Sequence, residues 1–134
     1  MKNENRWLKA LGGAALTFAV LDAVWIGGVA KKIYDKNIPH LMASKINAAP
    51  AGLFYAGYLA GTVYLAVKPN EKDRTTTEQF RDGAILGALT YGTFGFTNSA
   101  VLKDFPVKVA ASDFAWGTFL TGTTAAVAGK VSGR

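Results

Sequence analysis

The 134-residue sequence contains no cysteine and a single histidine, His40. The lack of cysteine excludes disulfide bonds and thiolate chemistry, and one histidine excludes a multi-histidine metal or haem site within one chain. Acidic side chains are also scarce, with nine Asp and Glu against 15 Lys and Arg. We predict no bound metal and no cofactor, and the sequence contains no recognisable set of catalytic residues.

Charge is absent from long stretches of the chain. Residues 46–67 and 83–102 contain no acidic or basic side chain, and residues 10–30 and 109–129 are interrupted only by Asp22 and Asp113 respectively. About 20 helical residues cross a hydrocarbon core of about 30 Å. We predict one all-α domain over residues 1–134, a polytopic membrane protein built as a four-transmembrane-helix bundle. Its spans are expected at about 10–30, 46–67, 83–102 and 109–129.

The basic residues fall in the linkers and tails of this arrangement. The net charge of +6 would suit nucleic acid, but no nucleic-acid motif accompanies it, so we assign it to lipid headgroups. Four crossings place both termini on one side, which carries nine of the 15 Lys and Arg. This excess predicts a multi-pass protein of the cytoplasmic membrane with cytoplasmic termini. The basic start also fits a signal peptide, but Asp22 within the apolar stretch favours a retained helix.

Two polar linkers contain local structural signals. Thr75 followed by Glu78 matches a capping box, which predicts that the third helix begins before its membrane span. Residues 31–45 mix lysines with apolar side chains. After Pro39 this segment is expected to form either a short amphipathic helix on the membrane surface or a solvated loop.

The same short motif occurs in the first and fourth spans. "LDAVWIG" at residues 21–27 and "SDFAWGT" at 112–118 both place a tryptophan three residues after an aspartate, on one helical face. Up-and-down topology brings both motifs to the same end of the bundle. An aspartate at the bilayer centre costs about 2.5–3.5 kcal/mol, so such residues persist when they are paired, hydrated or protonated.

Polar and aromatic residues of the second and third spans are expected at this same end. We predict a ligand-binding site there, composed of Asp22, Trp25, Tyr55, Asn98, Asp113 and Trp116, with Asn98 as a bridge between helices. The alternative is that the aspartates only tie helices together. Tyr34, Tyr58, Tyr64 and Tyr91 are interpreted as packing or interface residues.

Glycines recur at four-residue spacing in the two middle spans. Gly57 and Gly61 share one helical face, and Gly83 and Gly87 share another. Such faces allow close approach of helix backbones. The spacing predicts close packing, either within the chain or between chains.

The motifs "LDAVW", "LFYAGYLAGTVY", "YGTFGFTN" and "SDFAWGT" occur in this order. Together they resemble a family of small bacterial four-helix integral membrane proteins catalogued as a domain of unknown function. The resemblance covers all four spans and implies a protein of the bacterial inner membrane, but no reaction. It also implies an acidic residue at the position of Gly95, and this departure argues against a shared catalytic mechanism.

Three functions fit these observations. The first is binding or transport of a small molecule, lipid headgroup or proton at the polar site. The second is an accessory or structural subunit of a larger membrane complex, and the third is an intramembrane lipid-modifying enzyme. The expected partners are membrane lipids and either further copies of the chain or other membrane subunits, with no nucleic acid.

Overall fold

The computed structural model describes residues 2–42, 47–71 and 73–132, and within these ranges the ordered elements are all helical. Four long helices account for most of the chain. The elements are α1 (Lys2–Trp25), a π-helical segment π1 (Ile26–Ala30), α2 (Lys31–Asn37), a 3₁₀ turn (Pro39–Leu41), α3 (Ala48–Thr62), a second π-helical segment π2 (Val63–Val67), α4 (Thr76–Val101) and α5 (Val107–Val131).

The first helix is longer than its predicted span. α1, π1 and α2 form one continuous helix, of which Asn5–Asn37 comprises 33 residues, or about 50 Å. The helix ends at Asn37 because the residue before a proline is driven out of the α conformation, and Ile38 has a φ of −139°. Of the two alternatives after Pro39, residues 39–42 form a 3₁₀ turn and a bend rather than an amphipathic α-helix, and residues 43–46 lie outside the described part.

The starts of the last two helices agree with the sequence signals. Thr75 accepts a hydrogen bond from the Glu78 backbone N–H at 3.0 Å, and the Glu78 carboxylate accepts one from the Thr75 backbone N–H at 2.9 Å. The predicted capping box is thus confirmed, and α4 begins several residues before position 83. Pro106 stands immediately before α5 in an extended conformation.

Contacts between distant residues establish the direction of each helix. Gly13 of α1 lies against Ala128 of α5, whereas Asp22 near the other end of α1 meets Trp116. These two helices therefore run antiparallel. α3 also opposes α1, since Tyr55 hydrogen-bonds Asp22, whereas π2 at the far end of α3 packs with Ala10 of α1. α4 and α5 are opposed in the same way, because Gly83 lies against Thr121 and Gly95 against Ala110. The result is the predicted up-and-down bundle, with both termini at one end.

Glycine allows α4 and α5 to pack very closely. A Cβ added at Gly83 would lie 2.6 Å from the Thr121 carbonyl oxygen, and one at Gly95 would lie 3.0 Å from the Ala110 Cα. The Gly83 and Gly87 face is therefore used within the chain. Gly57 and Gly61 of α3 differ, because a Cβ at either position would meet nothing within 4 Å.

The outside of the bundle is apolar. Large side chains on every long helix point away from the core, among them Leu16, Leu53, Leu89 and Phe119. Patches of this extent mark membrane or protein interfaces. Residues 5–37 and 48–67 are long and apolar enough to cross a membrane. α4 and α5 are also long enough at 26 and 25 residues, and their crossing at the predicted boundaries stays a prediction.

Candidate functional site: a cavity between two aspartates

The two repeated motifs meet at one end of the bundle. The rings of Trp25 and Trp116 stack with their centroids 4.8 Å apart and their planes 5° from parallel. Asp22 and Asp113 are both buried, with 8% and 7% of their surface exposed. Positions more than 90 residues apart in sequence therefore form one structural unit.

Asp22 is held by groups from two other helices. The Tyr55 hydroxyl of α3 donates a hydrogen bond to Asp22 Oδ2 at 2.5 Å. The Trp116 indole N–H of α5 donates to Oδ1 at 3.4 Å, which is a long and weak contact. Phe18 packs edge-on against Tyr55, with 5.3 Å between ring centroids. This contact holds the tyrosine ring in place while its hydroxyl bonds the aspartate. Asp22 thus joins α1, α3 and α5.

Asp113 is held by a residue that the sequence analysis assigned to packing. The Tyr34 hydroxyl of α2 donates a hydrogen bond to Asp113 Oδ2. Tyr34 packs edge-on against Phe105 with a centroid distance of 6.5 Å, beside a small core of Ile38, Phe105, Val109 and Ala110. This core anchors α2 to the start of α5, and the anchor places the tyrosine over the aspartate.

The aspartates and their partners line a cavity of about 740 Å³. This volume lies within the range of about 300–1,000 Å³ that is typical of small-molecule sites. We name it the aspartate cavity. Its lining consists of Asp22, Trp25, Ile26, Gly27, Ala30, Lys31, Tyr34, Asp35, Met42, Phe54, Tyr55, Thr90, Tyr91, Phe94, Asp113 and Trp116.

The first helix lines the cavity through its π1 segment as well as through α1 and α2. Ile26, Gly27 and Ala30 of π1 all contribute to the lining. Single π-helical turns inside α-helices occur frequently at functional sites, because the wider turn re-aims the residues that follow it. Here the residues that follow include Tyr34, so the π1 segment determines where that hydroxyl lies.

A second polar layer lies deeper in the bundle. The Tyr58 hydroxyl is 2.6 Å from Thr121 Oγ1 and 3.1 Å from Thr90 Oγ1, which links α3, α5 and α4. Tyr91 packs over Gly117, where any side chain would occupy the position of its ring. Tyr58 therefore joins three helices through its hydroxyl as well as through its buried ring, and Tyr91 lines the cavity.

Of the predicted site residues, all but one line the aspartate cavity. Asn98 does not, and the bridging role expected for it is filled by the hydroxyls of Tyr34 and Tyr55. It lies about 6 Å beyond Phe94 along α4. Phe94 lines the cavity and packs edge-on against Phe105, with 6.0 Å between ring centroids.

The opposite end of the bundle contains a compact ion pair. The buried Arg74 guanidinium donates to the Ala66 carbonyl oxygen at 2.6 Å and to Asp82 at 2.7 Å. Partial burial raises the pKa of Asp82, but hydrogen bonds from Arg74 and Arg81 outweigh it and hold this pKa below its usual range. Gln79 donates to the Val67 carbonyl oxygen at 2.9 Å. These bonds fix the α3–α4 connection.

Over residues 2–42, 47–71 and 73–132, no group of three or more potential ligand side chains is placed to hold a metal ion. The aspartate cavity presents carboxylates, phenols, indoles and aromatic faces, together with the Lys31 ammonium and the Thr90 hydroxyl.

Comparison with known families decides the classification. Residues 7–130 match the model of a family described as a predicted membrane protein, DUF2177. The chain belongs to this family. The match includes all four long helices and both Asp-x-x-Trp motifs, so the aspartate cavity lies wholly within the DUF2177 region. No curated protein and no solved structure matches this DUF2177 chain.

Proposed function

We propose that this membrane protein binds a small molecule or a lipid headgroup in the aspartate cavity. The observation that carries the proposal is the convergence of the two Asp-x-x-Trp motifs, with Trp25 stacked on Trp116 and both aspartates lining one cavity. A purely structural pair of polar contacts needs no space beside it. A volume of about 740 Å³ next to two buried carboxylates is better explained by an occupant.

Transport of the bound molecule, or of a proton, across the membrane would extend this binding function. The cavity lies at one end of the bundle, so a bound molecule or proton would start from one leaflet. Two carboxylates reachable from that side are suitable groups for exchanging protons with a ligand. We place the protein in the bacterial cytoplasmic membrane with both termini in the cytoplasm, which puts the cavity in the outer leaflet.

Native mass spectrometry of the gently solubilised protein tests the binding proposal. Wild-type protein is expected to retain a small molecule or lipid, and Asp113→Asn is expected to lose it. Asp104→Asn is the matched control, since it removes the same charge from an exposed position outside the cavity. Equal retention by both variants, or no bound mass in the wild type, would contradict the proposal.

An accessory role in a larger membrane complex is the second candidate. It is favoured by the open face of Gly57 and Gly61, where no side chain and no other helix among the described residues comes within 4 Å of an added Cβ. Faces of this kind allow close helix contact with another protein. Gly57→Leu is then expected to release a partner subunit or a second copy, while Gly12→Leu, at an equally open glycine of α1, retains it.

A further inference from the structure

Acidic side chains outnumber basic ones in the described lining of the aspartate cavity. The inference drawn from this difference rests on the binding function proposed above. Among the residues that the structure describes, the lining contains three acidic side chains but a single basic one, Lys31. Lys31 is already engaged, since its ammonium lies 2.7 Å from Asp35, and its side chain is 67% exposed. Within the described part of the chain, no basic side chain pairs with Asp22 or Asp113.

The hydrogen bonds to the two carboxylates come from neutral groups and leave acceptor capacity unused. An ionised carboxylate has about four lone-pair sites, yet within residues 2–42, 47–71 and 73–132 Asp113 accepts a hydrogen bond only at Oδ2. Asp22 accepts one short bond and one long one. A buried carboxylate that stays ionised is costly unless it is hydrated or a partner supplies the opposite charge. The free acceptor positions therefore favour a cationic occupant.

The aromatic lining favours the same charge. Trp25, Trp116, Tyr55, Phe54 and Tyr91 contribute rings to the cavity, and Trp25 with Trp116 forms a flat stacked pair. The faces of aromatic rings attract cations, and cages of such rings recognise quaternary ammonium groups. An anionic occupant would meet both carboxylates and ring faces, which repel it.

The volume of the cavity argues against a bare inorganic cation. About 740 Å³ is far larger than one ion needs, and Ile26, Met42 and Phe94 add apolar surface. We propose that the aspartate cavity selects an organic ammonium ion with an apolar body. Its nitrogen lies between Asp22 and Asp113, and its body packs along the aromatic lining. Free lipophilic amines and lipids with choline or ethanolamine headgroups share this chemistry.

A pair of probes that differ only in charge gives the test. Benzyltrimethylammonium and neopentylbenzene have the same shape, but the second has a carbon in place of the cationic nitrogen. A Trp7→Phe background leaves Trp25 and Trp116 as the only tryptophans, so their fluorescence reports binding in neutral detergent micelles. The cation is expected to bind about tenfold more tightly, equivalent to about 1.4 kcal/mol. Asp113→Asn is expected to abolish this preference, and Asp104→Asn to keep it.

The outcomes separate this inference from the proposed function. Equal binding of the two probes to the Trp7→Phe protein overturns the cation inference but leaves a binding cavity, and this comparison needs no substitution at the aspartates. Binding of neither probe and of no lipid overturns both. Native mass spectrometry with phosphatidylcholine, phosphatidylethanolamine and phosphatidylglycerol of equal chain length then distinguishes the source. A preference for phosphatidylcholine and phosphatidylethanolamine over phosphatidylglycerol identifies the occupant as a lipid. Binding of benzyltrimethylammonium without any of the lipids identifies it as a free amine.

Discussion

Replacement of Gly83 by alanine tests the close packing that gives the bundle its shape. The new Cβ would lie 2.6 Å from the Thr121 carbonyl oxygen and 2.8 Å from the Ala125 Cβ. The first distance is about 0.8 Å short of the 3.4 Å at which ordinary contact begins. Because the closest atom belongs to the backbone of α5, relief requires a shift of the whole helix rather than of one side chain.

The expected magnitude follows from two opposing effects. Overpacking of a tight interface costs about 1–3 kcal/mol, whereas replacing glycine by alanine within a helix gains about 0.8–1.0 kcal/mol. Because the clash is with backbone, the cost lies at the upper end of its range, and we expect Gly83→Ala to lower the free energy of unfolding by about 2 kcal/mol. Gly57→Ala experiences only the favourable effect, since its added Cβ meets nothing within 4 Å among the described residues, and we expect it to raise stability by about 0.8–1.0 kcal/mol.

Reversible unfolding in mixed micelles, followed by circular dichroism as the fraction of denaturing detergent rises, measures both variants against the wild type. The opposite signs are the informative result, because both substitutions make the same chemical change. A Gly83→Ala protein as stable as Gly57→Ala would refute the close α4–α5 contact and the glycine packing derived from it.

Three further predictions concern side-chain partners and topology. Tyr34→Phe removes the hydroxyl that donates to Asp113 and should destabilise the protein by about 1–2 kcal/mol in the same unfolding assay, since the acceptor is a carboxylate. Asp82→Asn leaves the buried Arg74 guanidinium without its carboxylate and should cost about 2–3 kcal/mol at neutral pH. Asn70→Cys, in a chain without other cysteines, should react with an impermeant maleimide only after cells are permeabilised.

Matched variants and conditions sharpen these tests. Tyr64→Phe makes the same change at an exposed tyrosine, and an equal loss in both variants would contradict the role of Tyr34. Because the pKa of Asp82 is lowered in the folded protein, its ionised carboxylate stabilises the fold at pH values above its ordinary pKa of about 3.8. This stabilisation is lost as the pH falls through the pKa of the folded state. Asp82→Asn should remove that acid dependence. Asp104→Cys should be labelled in intact cells. Labelling of Asn70→Cys but not of Asp104→Cys in intact cells would mean that the topology is the inverse of the proposed one.

The sequence contained enough information for the architecture and for most of the site. Long stretches without charge predicted four helices, and the connections forced neighbouring helices to alternate in direction. The alternation then brought Asp22 and Asp113 to one end, because one lies near the end of its span and the other near the start. Tyr55 followed from the same argument, since it lies near the start of the second span.

The remaining features depend on tertiary contacts that sequence spacing does not encode. The apolar pattern ends near Ala30, so nothing in it signals that the helix continues through the π1 segment and carries Tyr34 to Asp113. Asn98 has the right chemistry, but it lies about one helical turn beyond Phe94, which lines the cavity as Asn98 does not. The glycine pairs of α3 and α4 have identical spacing, and only the fold determines that one is covered by α5 and the other is open.

The most direct test of the aspartate cavity as a binding site is an experimental density map of the protein purified from its own membrane without added ligand. We expect the map to show Trp25 and Trp116 stacked and non-protein density beside Asp113 Oδ1. An empty or collapsed cavity, with Asp22 and Asp113 separated or covered by a neighbouring chain, would contradict this expectation.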